Sequence, residues 1–334
     1  RFANVTNDDR QAGRTGHGAV WGSKKLKALS VRGTRGISVA DANTLNKLSF
    51  DITKEAQGPY TAKYRILGTT QNVLNLNKLG LLPTRNYQEG VFEDAELVSG
   101  EFLHEHHKVK TIACAQCPIA CEQMSIAKKG PYAGAMTGID YECLFANGPN
   151  LGINDMNTVI KLIDIADRSG MDAMSQGVVL SWAMETFEKG IFTKEDFKCE
   201  KYPDGFEMCF GNCEAAVMTA EMIRDREGIG KVLSEGTRLA SQIIDKERGS
   251  ETWMWTMQSK GLETAGYDAR GLKTFSLGSA VGTRGPCHNR SAAYDPDIQG
   301  EVDRFKVDDT RGKIARDTEE YAAVYDTLPL CKFI

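Results

Sequence analysis

The sequence has 334 residues with 41 basic and 45 acidic side chains, so its net charge is −4 at neutral pH. A chain of this length can hold two domains with a large core, and its composition, 41% hydrophobic and 26% charged, is that of an ordinary soluble globular protein. The charge argues against a general nucleic-acid binder, and no apolar run approaches the ~20 residues of a membrane-spanning helix.

The first 38 residues are rich in glycine and in basic side chains. Two short stretches within them, around Gly18–Trp21 and Leu26–Val31, are predicted to be β-strands that flank turns. Because the chain begins at Arg1 rather than at a methionine and stops at Ile334 without a tail, we expect it to be a fragment of a longer polypeptide.

A glycine-rich run in this region reads Gly13-Arg-Thr-Gly16-His-Gly18-Ala-Val-Trp-Gly22-Ser-Lys-Lys. It is not a P-loop, because Ser23 precedes Lys24, and it is not a dinucleotide fingerprint, because Trp21 stands where the third glycine is needed. Glycines still let backbone N–H groups approach an anion, and basic side chains can neutralise it. The run predicts a site for a phosphate-bearing cofactor, with a glycine-rich turn and solvated lysines as the alternative. Its candidate residues are Gly13, Arg14, Gly16, Gly18 and Lys24.

Helical periodicity begins near residue 39 and dominates from residue 154 onward. Caps and terminal glycines mark several helices: Asn154 or Asp155 starts one that Gly170 ends, and Gly190 ends the next. The predicted helices cover residues 39–56, 154–170, 178–190, 214–226, 229–245, 274–282 and 317–328. No repeat of 20–50 residues is visible, and strand-type segments followed by runs of helices predict an α+β fold.

Three of the nine cysteines fall in one short run, Cys114-Ala-Gln-Cys117-Pro-Ile-Ala-Cys121. Thiolate sulfur is the preferred protein ligand of iron–sulfur clusters, and a tight loop lets neighbouring cysteines reach different irons of one [4Fe-4S] cluster. The fourth ligand of such a cluster usually comes from elsewhere in the chain. Cys331 is the favoured donor and Cys287 is a rival. The spacing of the cysteine run predicts an iron–sulfur cluster and therefore a redox protein.

Other roles for these cysteines stay open. Zinc is one, with Cys209 and Cys213 as a distant second pair, and unliganded thiols are another. Disulfides are disfavoured because the number of cysteines is odd, no signal peptide is visible and the spacing suits a metal better. A reducing compartment, the cytoplasm, is therefore expected. Cys143 and Cys199 are interpreted as single cysteines that fill buried space.

In their order along the chain, these pieces resemble the tungsten-containing aldehyde:ferredoxin oxidoreductase family, over nearly the whole length. The glycine-rich run and the cysteine loop both match segments of that family. Asp167-Arg-Ser-Gly170-Met-Asp172 matches its first pterin-binding motif, D-x-x-G-x-D. The run from Asp326 to Cys331 matches the second, D-x-x-G-x-C, except that Pro329 replaces the glycine and cannot donate a backbone N–H.

The resemblance implies a β-rich base domain that cradles two tungstopterins, followed by two mostly helical domains. Residues 1–38 would be the end of the base domain. Residues 39–250 would form the middle domain with the iron–sulfur loop and the first pterin motif, and residues 251–334 would start the last domain with the second motif. The implied cofactors are a [4Fe-4S] cluster and tungsten, or molybdenum, held by two pterins, with magnesium bridging the pterin phosphates as a further candidate.

The resemblance also implies roles for single residues. Asp167 and Asp172 would accept hydrogen bonds from a pterin, although by themselves they read as solvated acids beside a helix-ending glycine. Glu142 would line the tungsten pocket and exchange a proton, and His288 would donate to a developing oxyanion. The remaining predicted cofactor contacts are Gly170, Asp326 and Leu330, and the predicted cluster ligands are Cys114, Cys117, Cys121 and Cys331.

The other histidines are not expected to take part in catalysis. Glu101 and His104 form an E-x-x-H pattern, which some relatives use for a metal between subunits, but we interpret the match as chance. His104, His106 and His107 are expected to form a solvated polar turn, and His17 is a weak candidate for a phosphate contact.

The implied activity is oxidation of aldehydes to carboxylic acids. Electrons would leave through the cluster to ferredoxin or an iron–sulfur electron-transfer subunit, and an oligomer is expected. One alternative is the tungsten subunit of a class II benzoyl-CoA reductase-type enzyme. Alternatives of another class are a non-catalytic iron–sulfur electron-transfer module and a zinc-binding interaction protein.

Overall fold

Helices make up most of the regular structure in the computed structural model, which describes residues 1–8, 10–328 and 331–333. The helices within these ranges are α1 (His17–Ser23), α2 (Ala42–Ala56), α3 (Ala62–Leu67), α4 (Asn72–Lys78), α5 (Gly100–His106), α6 (Tyr141–Asn147), α7 (Met156–Arg168), α8 (Ala173–Glu188), α9 (Cys213–Asp225), α10 (Gly230–Leu233), α11 (Thr237–Arg248), α12 (Lys273–Val281), α13 (His288–Ser291), α14 (Tyr294–Gln299) and α15 (Thr310–Thr327). Each described helix is too short or too polar to cross a membrane.

The strands form three small antiparallel sheets. Their bounds are β1 (Val5–Asn7), β2 (Arg10–Ala12), β3 (Lys108–Ile112), β4 (Glu122–Ile126), β5 (Met136–Ile139), β6 (Gln258–Ser259) and β7 (Leu262–Glu263). The sheet orders are β1-β2, β3-β4-β5 and β6-β7. In the largest sheet Thr111 faces Gln123, which in turn faces Ile139. The cysteine loop is the connection between β3 and β4, so the hairpin holds both of its ends.

The core is built around α6, α7 and α8. α7 begins at Asp155, whose side chain accepts hydrogen bonds from the backbone of Asn157 and Thr158, and its apolar face is buried. α8 is buried at every position from Ala173 to Thr186, and its buried polar side chains, such as Gln176 and Ser181, are hydrogen-bonded within the core. One cluster of buried apolar residues extends from Phe2 to Tyr294. The predicted domain boundaries after residues 38 and 250 stay predictions.

The N-terminal residues are held against the turn between α7 and α8. The Asn4 N–H donates to the Gly170 carbonyl at 2.8 Å, and the Asp172 N–H donates to the Phe2 carbonyl at 2.9 Å. Gly170 has φ +64°, the left-handed conformation that lets the chain turn directly after α7. This contact brings the glycine-rich run to the first predicted pterin motif.

Several predicted elements are confirmed and others are wrong. α2, α7, α8, α9 and α12 lie where helices were predicted, and α15 begins seven residues before its predicted start. The predicted strand at Gly18–Trp21 is wrong, because these residues belong to α1. The predicted strand at Leu26–Val31 is also wrong: this stretch is exposed and belongs to none of the sheets formed by the described residues, and a strand requires a partner strand. The single helix predicted over 229–245 is split by Gly236, at φ +80°.

Candidate active site

Glu142 and His288 lie side by side in the buried interior. Asp140 caps α6 by accepting a hydrogen bond from the Cys143 N–H, which places Glu142 in the first turn of that helix. His288 is the first residue of α13. The Glu142 Oε1 and His288 Nδ1 atoms are 3.1 Å apart, but they are not aligned as a hydrogen bond, and neither atom has another partner among the described residues. The other carboxyl oxygen, Oε2, accepts a hydrogen bond from the Gly266 N–H at 2.8 Å.

Burial decides the protonation of this pair. It raises the pKa of Glu142 to about 8, although the Gly266 hydrogen bond and the charge of Arg14 oppose the rise. Burial also lowers the pKa of His288 well below its ordinary value, with the positive charges of Lys332, Arg14 and Arg284 adding to the effect. At neutral pH the pair is therefore a protonated carboxyl facing a neutral imidazole. In this state neither group carries a buried charge, and the carboxyl is a proton donor while the imidazole is a proton acceptor.

Aromatic side chains surround the pair. The Tyr267 ring lies 5.6 Å from the His288 ring and stacks on Tyr294 at 4.4 Å between centroids. The Tyr294 hydroxyl accepts a hydrogen bond from the Lys332 ammonium at 2.8 Å. These rings shield the pair from solvent, and this burial is the largest cause of the raised pKa of Glu142.

Arg14 joins the glycine-rich run to the same region. Its guanidinium is buried, with Nε 3.3 Å from Asp172 Oδ2 and Nη2 donating to the Glu263 carbonyl. The third nitrogen, Nη1, has no hydrogen-bond partner among the described residues. Because an unpaired buried donor is costly, Arg14 fits a site where an anionic group supplies the missing acceptor.

A cavity of about 560 Å³ opens beside Arg14. Three arginines and one acid give its lining a positive character suited to an anion. Asp326, from the second predicted pterin motif, lies on this wall with Oδ2 3.6 Å from Arg290 Nη1. Leu330 and Pro329 of the same motif lie outside the described residues. The lining residues are Ala12, Arg14, Thr15, His17, Thr283, Arg284, Arg290 and Asp326.

The acids of the first motif make hydrogen bonds within the protein. Asp167 accepts from Gln11 Nε2 at 2.5 Å and from the Thr137 hydroxyl. Burial raises the pKa of Asp167, while these two hydrogen bonds oppose the rise. Asp172 caps α8, accepting from the Met174 N–H at 3.2 Å, and faces Arg14. A cofactor role for Asp167, Gly170 and Asp172 stays a prediction.

The glycines of the glycine-rich run pack closely against the N-terminal backbone. A Cβ atom at Gly16 would lie 2.6 Å from the Arg1 carbonyl oxygen, and one at Gly18 would lie 2.1 Å from that of Asn4. Gly13 precedes the short turn that contains Arg14. Lys24 is exposed at the end of α1 and is not on the cavity wall. Packing thus accounts for Gly16 and Gly18, and the cofactor roles of all four residues stay predictions.

The predicted cluster ligands converge from distant parts of the sequence. Burial raises the pKa of Cys121 to about 11, the nearby Arg10 opposes it, and the charges of Cys331, Cys114 and Cys117 raise it further. Cys114, Cys117 and Cys331 thus lie close enough to Cys121 to act on its pKa, although Cys331 follows Cys121 by roughly two hundred residues. The grouping fits an iron–sulfur cluster, whose cysteines each bind a different iron. The ligand assignment itself stays a prediction.

The histidine turn differs in part from the prediction. His107 is buried, and its Nδ1 lies 3.0 Å from the Ile126 carbonyl oxygen, so the expectation that it is solvated is wrong. His104 and His106 are exposed as expected. Within the described ranges, no three His, Cys, Asp or Glu side chains are placed to hold a single metal ion.

Comparison with known proteins identifies the family. A family model described as "Aldehyde ferredoxin oxidoreductase, domains 2 & 3" matches residues 47–334, and the model of the N-terminal domain matches residues 1–33. The chain belongs to the aldehyde ferredoxin oxidoreductase family. The predicted family and the α+β fold class are thereby confirmed.

Several relatives within this family are named for tungsten. The chain is 36% identical over 342 residues to the tungsten-containing aldehyde ferredoxin oxidoreductase of Pyrococcus abyssi, covering 100% of this chain and 54% of the relative. It is 37% identical over 342 residues to that of Pyrococcus horikoshii, with the same coverage. The aliphatic sulfonate oxidoreductase WOR-like subunit of Pyrococcus furiosus is 31% identical over 299 residues, covering 88% of this chain and 46% of the relative. The chain spans about half the length of these curated relatives.

A solved structure shares the fold. It is the active site complex BamBC of benzoyl coenzyme A reductase with 1,5-dienoyl-CoA, which aligns with a TM-score of 0.67 at 20% identity. The alignment covers 96% of this chain and 50% of that chain. At this identity the likeness concerns the fold.

Some site residues of this family member could not be found by sequence reasoning. Gly266 and Tyr87 belong to no motif, and only the folded chain places them beside Glu142. Arg284 and Arg290 did carry a signal, because both are basic residues within four positions of the predicted site residue His288.

Proposed function

We propose that this chain is part of a tungsten-dependent oxidoreductase that oxidises aldehydes to carboxylic acids. The observation that carries the proposal is the buried pair of Glu142 and His288, in contact at 3.1 Å near the Arg14 guanidinium. The names of the relatives at 36–37% identity support the same activity.

The residues present fit the cofactors that the family implies. The unpaired nitrogen of Arg14 and the arginines of the cavity wall, Arg284 and Arg290, would hold anionic groups of a pterin. Cys114, Cys117, Cys121 and Cys331 would hold a [4Fe-4S] cluster. The bound tungstopterin and the [4Fe-4S] cluster would supply the redox chemistry: together they would accept two electrons from the substrate and pass them singly to ferredoxin or an electron-transfer subunit. Tungsten and molybdenum would be held alike, through pterin sulfur.

Glu142 and His288 would act on the substrate itself. Because Nδ1 of His288 faces Glu142, Nε2 is the ring nitrogen left to donate a hydrogen bond to the carbonyl oxygen of an aldehyde. Oxidation of an aldehyde with water to a carboxylic acid releases two protons and two electrons. The ionised form of Glu142 would take up one of these protons; because the pKa is about 8, this form is the minority at neutral pH and increases as the pH rises.

The alternative reaction of a benzoyl-CoA reductase-type enzyme would use the same fold. The sequence relatives favour aldehyde oxidation, because the match to that reductase complex is only 20% identical. A non-catalytic iron–sulfur module would not need a buried pair such as Glu142 and His288 that can exchange a proton with a substrate.

The test uses the full-length protein that contains this chain, purified without oxygen. We expect tungsten or molybdenum with pterin and about four irons, and aldehyde-dependent reduction of a viologen dye. Glu142→Gln should lower turnover by roughly 10²–10⁴-fold while cofactor content is unchanged. The exposed Glu247→Gln is the matched control and should be fully active.

Each contrary result has a definite meaning. Iron without tungsten, molybdenum or pterin would favour the electron carrier, and zinc alone would favour the interaction protein. Full activity of Glu142→Gln would remove Glu142 from the reaction.

A further inference from the structure

The Glu142 carboxyl is held by a backbone segment that other residues fix in place. Its Oε2 atom accepts from the Gly266 N–H at 2.8 Å. A Cβ atom at residue 266 would lie 2.6 Å from the Phe145 ring and 3.0 Å from the Tyr141 ring, so only glycine brings this N–H so close. The segment Thr264–Gly266 thus determines how well Glu142 is hydrogen-bonded.

Two buried phenols bind the carbonyls of this segment. The Tyr87 hydroxyl is 2.9 Å from the Thr264 carbonyl oxygen and 2.8 Å from that of Ala265, and it can donate to either. The Tyr141 hydroxyl donates to the Gly266 carbonyl. Each phenol has one proton, so Tyr87 serves the Thr264 and Ala265 carbonyls in turn, and the Ala265 carbonyl also accepts from the Tyr267 N–H at 2.7 Å.

Tyr87 itself is held in an unusual backbone conformation. Arg85, Asn86 and Tyr87 have φ values of +46°, +53° and +62°, three successive left-handed residues without a glycine. Such strain persists only where the surroundings enforce it, and it is concentrated at functional sites. Here the Arg85 and Asn86 N–H groups donate to the Pro149 and Asn150 carbonyls at 3.1 and 3.0 Å.

The side chain of Asn86 completes the anchor. Its Nδ2 atom donates to Glu185 at 2.6 Å and to the Trp255 carbonyl at 2.9 Å, and its Oδ1 atom accepts from the Ser181 hydroxyl at 2.9 Å. The strained turn is thus fixed to the core, and it points Tyr87 at the segment that holds Glu142.

We infer that Tyr87 is a positioning residue: its hydroxyl fixes the Thr264 and Ala265 carbonyls and thereby aims the Gly266 N–H at the Glu142 carboxyl. The inference rests on the proposed function of Glu142. A hydrogen bond from Gly266 favours the ionised carboxylate, so Tyr87 tunes the pH at which Glu142 loses its proton.

Other groups facing Glu142 act on the same equilibrium. Arg14 and Lys332 favour the ionised carboxylate, whereas Asp140 and burial oppose it. His288 faces the second oxygen. Burial raises the pKa of the surrounding phenols, Tyr87, Tyr141, Tyr267 and Tyr294, well above its ordinary value, so they stay neutral over the tested range. A change caused by removing the Tyr87 hydroxyl is therefore not a change of charge.

The test measures Glu142 directly. Infrared spectra of the full-length protein are recorded from pH 5 to pH 10, and the protonated-carboxyl band that disappears in Glu142→Gln is assigned to Glu142. Tyr87→Phe should move the midpoint of this band upward by about one pH unit, a tenfold change in the dissociation constant. The pH profile of kcat/KM should move in the same direction.

Tyr202→Phe is the matched control. It also removes a phenol hydrogen bond, 2.8 Å to Glu221, but far from Glu142, and it should leave the midpoint unchanged. A Tyr87→Phe midpoint equal to that of the parent, with the fold intact by circular dichroism, overturns the inference, as does the absence of any Glu142 band. If Tyr87→Phe moves the band but Glu142→Gln is fully active, the positioning holds and the proposed catalytic role fails.

Discussion

At the scale of single residues, glycine serves different purposes within a few positions of the glycine-rich run. Gly18 lies where any side chain would enter the Asn4 backbone, and its N–H donates to the Ala3 carbonyl at 3.0 Å. Gly22, in the same helix α1, has nothing within 4 Å of the position that a Cβ atom would take. The first glycine is required by packing and the second is not.

This contrast gives a prediction about stability without any cofactor. Gly18→Ala should lower the free energy of unfolding of the cofactor-free chain by about 1–3 kcal/mol, because a backbone oxygen cannot move aside easily. Gly22→Ala should leave stability unchanged or raise it by about 0.5–1 kcal/mol, since alanine is the better helix former. Urea unfolding of both variants measures the difference. Equal stabilities would mean that Gly18 is needed for something other than packing.

Residue types predicted part of the site but not its geometry. Glu142 and His288 were each predicted through the family resemblance, and the structure brings them to 3.1 Å. Their altered pKa values come from burial beside Tyr267 and Tyr294, which no local pattern reveals. The Gly266 hydrogen bond likewise depends on a contact between residues more than a hundred positions apart.

At the scale of elements, caps and periodicity were reliable because both are local. α7 and α2 each begin at an aspartate that accepts two backbone hydrogen bonds, and both helices were predicted. The strand predictions were not reliable. A strand needs a partner strand elsewhere in the chain, and the local pattern of Leu26–Val31 does not show whether such a partner exists. The two helices differ in burial: α7 packs in the core, and α2 buries only Ala56.

The caps should therefore differ in their effect on global stability. Asp155→Ala should lower the free energy of unfolding by about 1 kcal/mol at pH 7. Asp41→Ala should reduce helix content but leave the unfolding midpoint in place, because α2 contributes little to the core. Denaturant unfolding followed by circular dichroism compares the two. A larger shift of the midpoint in Asp41→Ala would show that α2 is more integrated than its exposure indicates.

The effect of the Asp155 cap should depend on pH. Burial would raise the pKa of Asp155, but hydrogen bonds from Thr158 and Asn157 outweigh it and lower the pKa. A lowered pKa in the folded state means that the stabilisation is complete above the unfolded value, near 3.9, and is lost as the pH falls through the folded value. The difference between the parent and Asp155→Ala should thus shrink from pH 6 towards pH 3. A constant difference would contradict an ionised cap.

At the scale of the whole molecule, both ends of the chain return to the same region. The N-terminal residues pair with the turn after α7, and Lys332 near the C-terminus donates to Asn289 and Tyr294 at 2.7 and 2.8 Å. The sequence predicted that these segments meet only through the family resemblance, because periodicity contains no information about long-range contacts. The same holds for the cysteines, since Cys331 acts on the pKa of Cys121, which comes roughly two hundred residues earlier in the chain.

A cluster bound by those cysteines should act as a cross-link. It would close a loop of roughly two hundred residues between Cys121 and Cys331, and binding to the folded state alone stabilises that state. Anaerobic reconstitution with iron and sulfide should raise the Tm by at least roughly 5 °C, and chelation should reverse the rise. Cys331→Ser should lose most of the rise together with the iron, whereas Cys199→Ser should behave as the parent. If Cys331→Ser keeps about four irons and the full rise, the fourth ligand is another residue, and the buried Cys287 becomes the candidate to replace next.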